Sequence, residues 1–239
     1  MRTKRKISKE KRSLQIISNS HSFPYIEAYK MLRTNLKFIT GANNAKVMAV
    51  TSAIPMEGKT NVIINLAITL AEMGKKVLLI DGDMRKPMIH KYLEIPNASR
   101  GLSNVLSRTY EWNTVAVRFK ELPLYVLPSG PIPPNPTELV GSSSMEQLIA
   151  TVRGEFDYVL IDTPPVSVVA DAVTLSNSID GVLLVVRHKY TKVDVVKAAK
   201  KNIESAGVNV LGVIMNMFEI KHANRAYDYY KSYAYEYES

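Results

Sequence analysis

The amino-acid sequence predicts one α/β domain that is built on a doubly wound, mainly parallel sheet. Two observations lead to this prediction. Six short apolar runs rich in β-branched residues recur along the chain, and each is typical of a strand buried on both faces. Stretches with helical periodicity lie between most of these runs, and such alternation of strand and helix is typical of parallel sheets.

The elements follow in chain order. Residues 1–22 are expected to be a disordered basic arm, and residues 23–41 predict an amphipathic helix that begins near Pro24 and ends at Gly41. The predicted strands are KVMAVTS (46–52), KKVLLID (75–81), LYVLPSG (124–130), DYVLIDTPP (157–165), DGVLLVV (180–186) and NVLGVIMN (209–216). Further helices are predicted at 59–73, 101–107, 143–153, 168–177 and 192–206. We therefore expect one domain over residues 23–225 and a separate tail over residues 226–239.

The composition excludes several classes of function. The chain has no cysteine, which excludes disulfides, thiolate catalysis and cysteine-ligated zinc. Its four histidines are scattered and form no HExxH motif. No apolar run approaches the roughly 20 residues that span a bilayer, and the charged N-terminus lacks the apolar core of a signal peptide. We therefore expect a cytoplasmic protein.

The net charge of +9 is concentrated at the N-terminus. Residues 1–12, MRTKRKISKEKR, contain seven basic side chains and one acid. Such an arm can contact the anionic inner face of a membrane, where each basic residue contributes about 1 kcal/mol, or it can be a solubilising tail. Nucleic-acid binding is not expected, because the sequence has no platform of interleaved aromatic and basic residues.

The stretch AIPMEGKT (53–60) follows a predicted strand and opens a predicted helix, which is the context of a phosphate-binding loop. Backbone N–H groups of such a loop point at phosphate at the positive end of the helix. Gly58 allows close approach, Lys59 can reach the β- and γ-phosphates, and Thr60 can offer its hydroxyl to Mg²⁺. The predicted nucleotide-binding residues here are Pro55, Met56, Glu57, Gly58, Lys59, Thr60 and Asn61.

Three carboxylates follow two other predicted strands. Asp81 and Asp83 end the run VLLIDGD, and Asp162 ends the run YVLID. Ligands of parallel sheets bind outside the carboxyl ends of the strands, so these acids can face the same crevice as Lys59. Mg²⁺ prefers such oxygen ligands, and we predict that Thr60, Asp83 and Asp162 hold it. The alternative is that each Asp caps the next helix.

These motifs together resemble those of the bacterial tyrosine kinases, whose P-loop NTPase fold is related to the MinD/ParA ATPases. The loop, VLLIDGDMR (77–85) and VLIDTPP (159–165) look like the family's Walker A, A′ and B motifs. EAYKMLRTNLKF (27–38) looks like its oligomerisation helix, and LPSGPIPPNPTELV (127–140) looks like its proline-rich segment. The resemblance extends from about residue 23 to the C-terminus.

The resemblance implies an ATP-dependent protein-tyrosine kinase that uses Mg²⁺. Asp81 is then the carboxylate that removes or orients the proton of the incoming tyrosine, and Asn216 ends the strand at which related ATPases contact adenine. A turn-forming asparagine is the alternative for Asn216. The implied catalytic residues are Lys59, Asp81, Asp83, Arg85 and Asp162, and the implied oligomerisation residues are Glu27, Lys30 and Arg33. A solvated helix face with i,i+3 pairing is the alternative for the last three.

The C-terminal tail is rich in tyrosine. Six of the thirteen tyrosines lie in the last thirteen residues, namely Tyr227, Tyr229, Tyr230, Tyr233, Tyr235 and Tyr237. An edge strand or a helical stripe is conceivable, but neither explains tyrosine in place of leucine or valine. The resemblance implies that these tyrosines are phosphorylated in a ring-like homo-oligomer. Because the tail is anchored at one end and is not expected to reach its own crevice, we predict transfer between subunits.

The resemblance also implies partners and a cellular role. A transmembrane modulator is expected to recruit the kinase to the inner face of the plasma membrane, where it regulates capsule or exopolysaccharide synthesis or export and phosphorylates other proteins. The main alternative is a MinD/ParA-type switch ATPase without kinase activity. That class carries a second lysine early in the loop, where this sequence has Ile54. A non-enzymatic scaffold is a further alternative, disfavoured by the complete set of lysine, threonine and acids.

Overall fold

The computed structural model describes residues 16–17, 22–96, 99–168 and 174–218. Its strands are β1 (Val47–Ser52), β2 (Val77–Asp81), β3 (Val117–Arg118), β4 (Leu124–Leu127), β5 (Tyr158–Asp162), β6 (Gly181–Arg187) and β7 (Val210–Asn216). They form a seven-stranded sheet in the order β3-β4-β2-β5-β1-β6-β7. Each neighbouring pair is parallel except β3 and β4, which are antiparallel. The predicted fold class is confirmed.

The helices are α1 (Phe23–Asn43), α2 (Lys59–Ala71), α3 (Ile89–Tyr92), α4 (Leu102–Leu106), α5 (Trp112–Val115), α6 (Pro136–Val140), α7 (Ser143–Glu155) and α8 (Val193–Ser205). Predicted helices match α1, α2, α4, α7 and α8 within a few residues at each end. The short helices α3, α5 and α6 and the two-residue strand β3 were not predicted. Half of the predicted helix at 168–177, residues 169–173, lies outside the described residues.

The apolar runs form central strands because both of their faces are covered. In β1, Val47 and Ala49 pack into the core cluster that contains α7 and α8, whereas Met48 and Val50 pack into the cluster that contains α1 and α2. Every residue of β1, β2 and β5 is buried. The sheet is therefore a rigid layer whose strand ends can hold side chains in fixed positions.

Helix α2 is the most deeply buried helix of the described chain, with ten of its thirteen residues buried. It begins at Lys59, directly after Gly58, whose φ of 80° is the left-handed conformation that favours glycine. The helix thus starts at the carboxyl end of β1, and its first turn presents Lys59 and Thr60 there.

Helix α1 packs against α2. It continues past Gly41 to Asn43, because a glycine inside a helix costs only about 1 kcal/mol relative to alanine and does not stop it. Asn44, at φ 47°, ends the helix in the left-handed conformation.

Two of the predicted segments fall largely outside the described residues. Of the basic arm only residues 16–17 and 22 are described, and of the tyrosine-rich tail none is described. No helix in the described ranges is long and apolar enough to cross a bilayer.

Candidate active site

The carboxyl ends of three neighbouring strands create one crevice. Strand β5 lies between β2 and β1 in the sheet, and Asp81 of β2 is in register with Asp162 of β5. The loop that leaves β1 leads into Lys59. The sequence therefore brings loop and acids together because parallel strands end at the same edge.

An ion cluster occupies the centre of this crevice. The Nζ atom of Lys59 lies 3.0 Å from Oδ2 of Asp83 and 3.2 Å from Oδ1 of Asp162. Thr60 donates its hydroxyl to Oδ2 of Asp162 at 2.7 Å. The side chains of Lys59 and Asp162 are 11% and 1% exposed, so the charges interact with little solvent screening. The structure thus brings Lys59, Thr60, Asp83 and Asp162 together.

Burial and charge act in opposite directions on this cluster. Burial alone would lower the pKa of Lys59, but the carboxylates of Asp162 and Asp83 outweigh it and raise that pKa, so the lysine is a cation at neutral pH. Burial raises the pKa of Asp162, and the charge of Lys59 and the Thr60 hydroxyl oppose that rise.

Asp81 lies beside the cluster but takes no part in its ion pairs. Its Oδ2 accepts the N–H of Ile89 at 3.1 Å, whereas its buried Oδ1 has no hydrogen-bond partner among the described residues. Burial, reinforced by the charge of Asp162, raises the pKa of Asp81 well above its usual range. A buried carboxylate with an unused oxygen and a raised pKa is suited to accept a proton.

The loop before α2 has an unusual backbone. Met56 has a φ of 72°, which few non-glycine residues adopt, and its side chain is exposed together with Pro55. A Cβ on Gly58 would lie 2.4 Å from Nδ2 of Asn216, so only glycine fits there. Asn216 ends β7 as predicted, and its Nδ2 donates a hydrogen bond to the carbonyl oxygen of Glu57 at 2.8 Å.

Glu57 reaches its neighbours through its carboxylate as well as its backbone. The side chain is fully buried, Oε2 accepts the N–H of Ile54 at 2.8 Å, and Oε1 accepts the N–H of Arg187 at 3.0 Å and the hydroxyl of Thr191. The loop motif predicts Glu57 only as one of the nucleotide-binding residues. Its partners on β6 and beyond are more than 100 positions away, and no local pattern marks them.

Two predicted site residues point elsewhere. Arg85 is exposed, and its Nη2 donates to Oγ1 of Thr137 at 2.9 Å, which ties the segment after β2 to α6. Oδ1 of Asn61 accepts the hydroxyls of Tyr25 and Tyr29 at 3.5 and 3.4 Å, so this side chain contacts α1.

The predicted oligomerisation residues divide into two environments. Lys30 pairs with Glu27 at 2.7 Å on the helix surface, which is the i,i+3 arrangement of the alternative hypothesis. Arg33 donates from Nη1 to the carbonyl of Thr69 in α2 at 3.1 Å. The positioning of Arg33 is therefore linked to the helix that carries Lys59.

The oxygen donors in the crevice fit a magnesium ion that shares its ligands with a substrate. No group of three acidic, cysteine or histidine side chains within the described ranges forms a protein-only metal site. Mg²⁺ usually takes one or two carboxylates, with phosphate oxygens and water completing its octahedron. The Thr60 hydroxyl and the carboxylates of Asp83 and Asp162 supply such a partial set.

Comparison with known proteins identifies close relatives. The family described as an AAA domain matches residues 45–210. The tyrosine-protein kinase YwqD of Bacillus subtilis (strain 168) is 40% identical over 202 residues, which cover 84% of this chain and 85% of the relative. The tyrosine-protein kinase CpsD of Streptococcus agalactiae serotype III (strain NEM316) is 36% identical over 190 residues, covering 80% of this chain and 81% of that protein.

Solved structures of similar proteins share the fold of this chain. The crystal structure of the chimerical protein CapA2B2 superimposes with a TM-score of 0.79 at 36% identity and covers 86% of this chain and 90% of its own. The septum site-determining protein MinD from Pyrococcus horikoshii OT3, complexed with Mg-ADP, has a TM-score of 0.63 at 23% identity and covers 74% of this chain and 72% of its own. The second likeness shows a shared fold only.

Proposed function

The chain belongs to the family of bacterial tyrosine kinases and is an ATP-dependent protein-tyrosine kinase, and we propose that it phosphorylates its own C-terminal tyrosines at the Lys59–Asp83–Asp162 cluster. The observation that supports this most is the position of Asp81. It is a buried carboxylate with one oxygen that has no hydrogen-bond partner among the described residues, and it is in register with Asp162, which contacts the lysine and the hydroxyl suited to bind phosphate and metal. The sequence motifs predicted the family and the kinase activity. Both predictions are confirmed, and the relatives favour the kinase over the switch-ATPase alternative.

ATP is the phosphoryl donor in this proposal. The backbone N–H groups of residues 56–60 hold its phosphates, and Lys59 neutralises charge on the β- and γ-phosphates. When ATP binds, Lys59 exchanges its carboxylate partners for phosphate. Its buried positive charge therefore stays paired with a negative charge. Catalysis of phosphoryl transfer depends mainly on such positioning and electrostatic stabilisation.

We further propose that Thr60, Asp83 and Asp162 hold Mg²⁺, directly or through water. When bound, the ion neutralises negative charge on the phosphates and fixes their orientation. Thr60 and Asp162 already share a hydrogen bond of 2.7 Å, so the two ligands are held at the required proximity.

We assign Asp81 as the base that accepts the proton of the incoming tyrosine hydroxyl. A phenol has a pKa near 10, so it is largely protonated at neutral pH. The raised pKa of Asp81 makes its carboxylate a stronger base and narrows the difference between its pKa and that of the phenol. The phenolic oxygen gains nucleophilicity as its proton moves to Oδ1, the oxygen without a partner.

The acceptors are the tail tyrosines within Tyr227–Tyr237, presented by a second copy of the chain in a ring-like homo-oligomer. Each phosphotyrosine adds about −1.5 to −2 charge at pH 7, so six change the chain by roughly −9 to −12. This is comparable to the net charge of +9 and favours dissociation of the assembly. Other proteins with accessible tyrosines are further substrates.

The cellular setting is proposed on family membership alone. A transmembrane modulator recruits the kinase to the inner face of the plasma membrane, and the basic arm of residues 1–12 adds a peripheral contact with anionic lipid. The kinase then regulates the synthesis or export of capsule or exopolysaccharide.

The test incubates purified chain with Mg-ATP, with and without a modulator peptide, and locates phosphate by mass spectrometry. We expect phosphate on Tyr227–Tyr237 in the wild type, a loss of at least about 100-fold in Lys59→Met because a charge-neutralising group is removed, and no change in Lys91→Met, an exposed lysine. ATP hydrolysis without phosphotyrosine in any sample would restore the switch-ATPase hypothesis.

Transfer between subunits is tested by mixing two chains. One is Lys59→Met with an intact tail, and the other has all six tail tyrosines replaced by Phe. Phosphate on the tail of the Lys59→Met chain supports transfer between subunits. Phosphate that appears only on a wild-type tail, and never in the mixture, shows that each chain modifies itself.

A further inference from the structure

Glu57 is a buried acid without a cation. Its carboxylate is fully buried, and no ion pair to it occurs in the part of the chain that the structure describes. An ionised carboxylate in such a place is costly unless hydrogen-bond donors satisfy its oxygens. Three donors do so here, the N–H of Ile54, the N–H of Arg187 and the hydroxyl of Thr191.

These donors come from separate parts of the fold. Ile54 opens the phosphate loop, Arg187 ends β6, and Thr191 lies in the turn before α8. The carbonyl of Glu57 accepts a fourth bond, from Nδ2 of Asn216 at the end of β7. One residue thus joins the loop to the ends of two strands on the far side of the crevice.

The loop needs such support because its backbone is strained. Met56 and Gly58 both have positive φ values, 72° and 80°, on either side of Glu57. A non-glycine residue in this conformation costs of order 1–3 kcal/mol and persists only where its surroundings hold it. If Glu57 were released, the backbone could relax, and the N–H groups of residues 56–58 would no longer be held in one orientation.

We propose that Glu57 is a positioning residue for phosphate binding: through Arg187 and Thr191 it fixes the conformation in which the loop N–H groups converge. The inference rests on the proposed function, since it assumes that this loop binds nucleotide phosphates. Phosphate binding then also requires Thr191, which lies about 130 positions from the loop and belongs to no recognised motif.

The experiment compares four full-length variants. Glu57→Gln keeps the size but places an amide NH₂ against an existing donor, and Thr191→Val removes one donor at nearly constant volume. Thr191→Ser restores the hydroxyl, and Glu155→Gln makes the same chemical change at an exposed site. Mg-ADP affinity is measured by titration calorimetry, and amide hydrogen exchange of Ile54 and residues 56–58 is measured without nucleotide.

We expect Glu57→Gln to weaken Mg-ADP binding by about 10- to 100-fold, because hydrogen bonds to a charged group are lost. Thr191→Val should weaken it by about 3- to 10-fold, and Thr191→Ser and Glu155→Gln should match the wild type. Loop exchange in the free protein should accelerate in the same order. In kinase assays, we expect the KM for ATP to rise more than kcat falls, because chemistry occurs at Asp81.

The outcomes are distinguishable. Unchanged affinity and loop exchange in Thr191→Val overturn the inference, even if Glu57→Gln does not fold. Weakened binding in both Thr191→Val and Thr191→Ser also overturns it, because the hydroxyl would then be irrelevant. A wild-type chain that binds no Mg-ADP overturns the proposed function along with the inference.

Discussion

The two ends of the central sheet use aspartate in opposite ways. At the amino ends, Asp180 accepts the N–H groups of Lys46 and Val47 at 2.7 and 2.8 Å, and Nη1 of Arg153 lies 2.7 Å from its other oxygen. At the carboxyl ends, Asp81 has one N–H donor and an oxygen with no partner within the described residues. Asp180 is thus satisfied, whereas Asp81 is left partly unsatisfied, unlike its paired neighbours Asp83 and Asp162.

The pKa values of Asp180 and Asp81 are shifted in opposite directions, in line with their hydrogen bonding. Burial alone would raise the pKa of Asp180, but the hydrogen bonds from Val47, Arg153 and Lys46 outweigh it and lower that pKa. Burial raises the pKa of Asp81, and the neighbouring charge of Asp162 raises it further. The amino-end acid therefore stabilises the folded chain at neutral pH, whereas the carboxyl-end acid destabilises it and gains reactivity.

The largest effect that tests this contrast is on activity. Asp81→Asn should lower the rate of tyrosine phosphorylation by about 10²- to 10⁴-fold, because the proton acceptor is removed. Its free energy of unfolding should not decrease at neutral pH, since a buried charge is lost while an acceptor for the N–H of Ile89 remains. Radiolabelled ATP assays and urea denaturation measure the two quantities.

The matched control for that variant is Asp157→Asn at the opposite end of the sheet, where Oδ2 accepts the N–H of Lys76 at 2.8 Å. It should lose stability and keep wild-type activity. A fully active Asp81→Asn enzyme would remove Asp81 as the base and leave only a structural contrast between the two ends.

The pH dependence of stability provides the next largest effect. Asp180→Asn should lower the free energy of unfolding by about 2 kcal/mol at pH 7, because bonds to a charged acceptor are weakened. The native pKa of Asp180 is below the unfolded value of about 3.9, so this loss is complete above about pH 5 and disappears as pH falls through the native pKa.

Asp81→Asn should show the opposite sign. The native pKa of Asp81 is raised, so the wild type loses stability as pH rises from about 3.9 through that pKa. The variant is therefore stabilising at neutral pH, and its advantage vanishes as pH falls toward 4. Urea denaturation from pH 3 to 8 would record both curves, and two difference curves of the same sign would show that the two ends do not differ in this way.

Much of the fold could be predicted from the sequence because the central strands are buried on both faces. Each then appears as a continuous apolar run, and six of the seven strands were predicted in this way. Strand β3 was missed because its two residues, Val117 and Arg118, are exposed at the edge of the sheet and leave no apolar run. The short helices α3, α5 and α6, of four or five residues, are too brief to show a helical period.

The candidate site could be predicted only in part. Lys59, Asp83 and Asp162 follow from local motifs at strand ends, and the structure brings them into contact. Arg85 lies two residues after Asp83 in the sequence, yet its side chain turns to α6, because direction depends on tertiary contacts. The bond between Glu57 and Arg187 and the bond between Asp180 and Val47 join residues more than 100 positions apart, which no local pattern encodes.

The smallest expected effect concerns an exposed ion pair at the amino ends. Lys75 lies 3.6 Å from Oδ1 of Asp157, and the two side chains are 48% and 44% exposed. Lys75→Met should change the free energy of unfolding by less than about 1 kcal/mol, because solvent and salt screen exposed pairs. Asp157→Asn should cost more than Lys75→Met, since it weakens the bond from the N–H of Lys76. Denaturation of the two variants side by side measures the difference. If Lys75→Met costs as much as Asp157→Asn, the amino-end acids depend on surface cations, and backbone N–H groups are not what distinguishes them from the acids in the crevice.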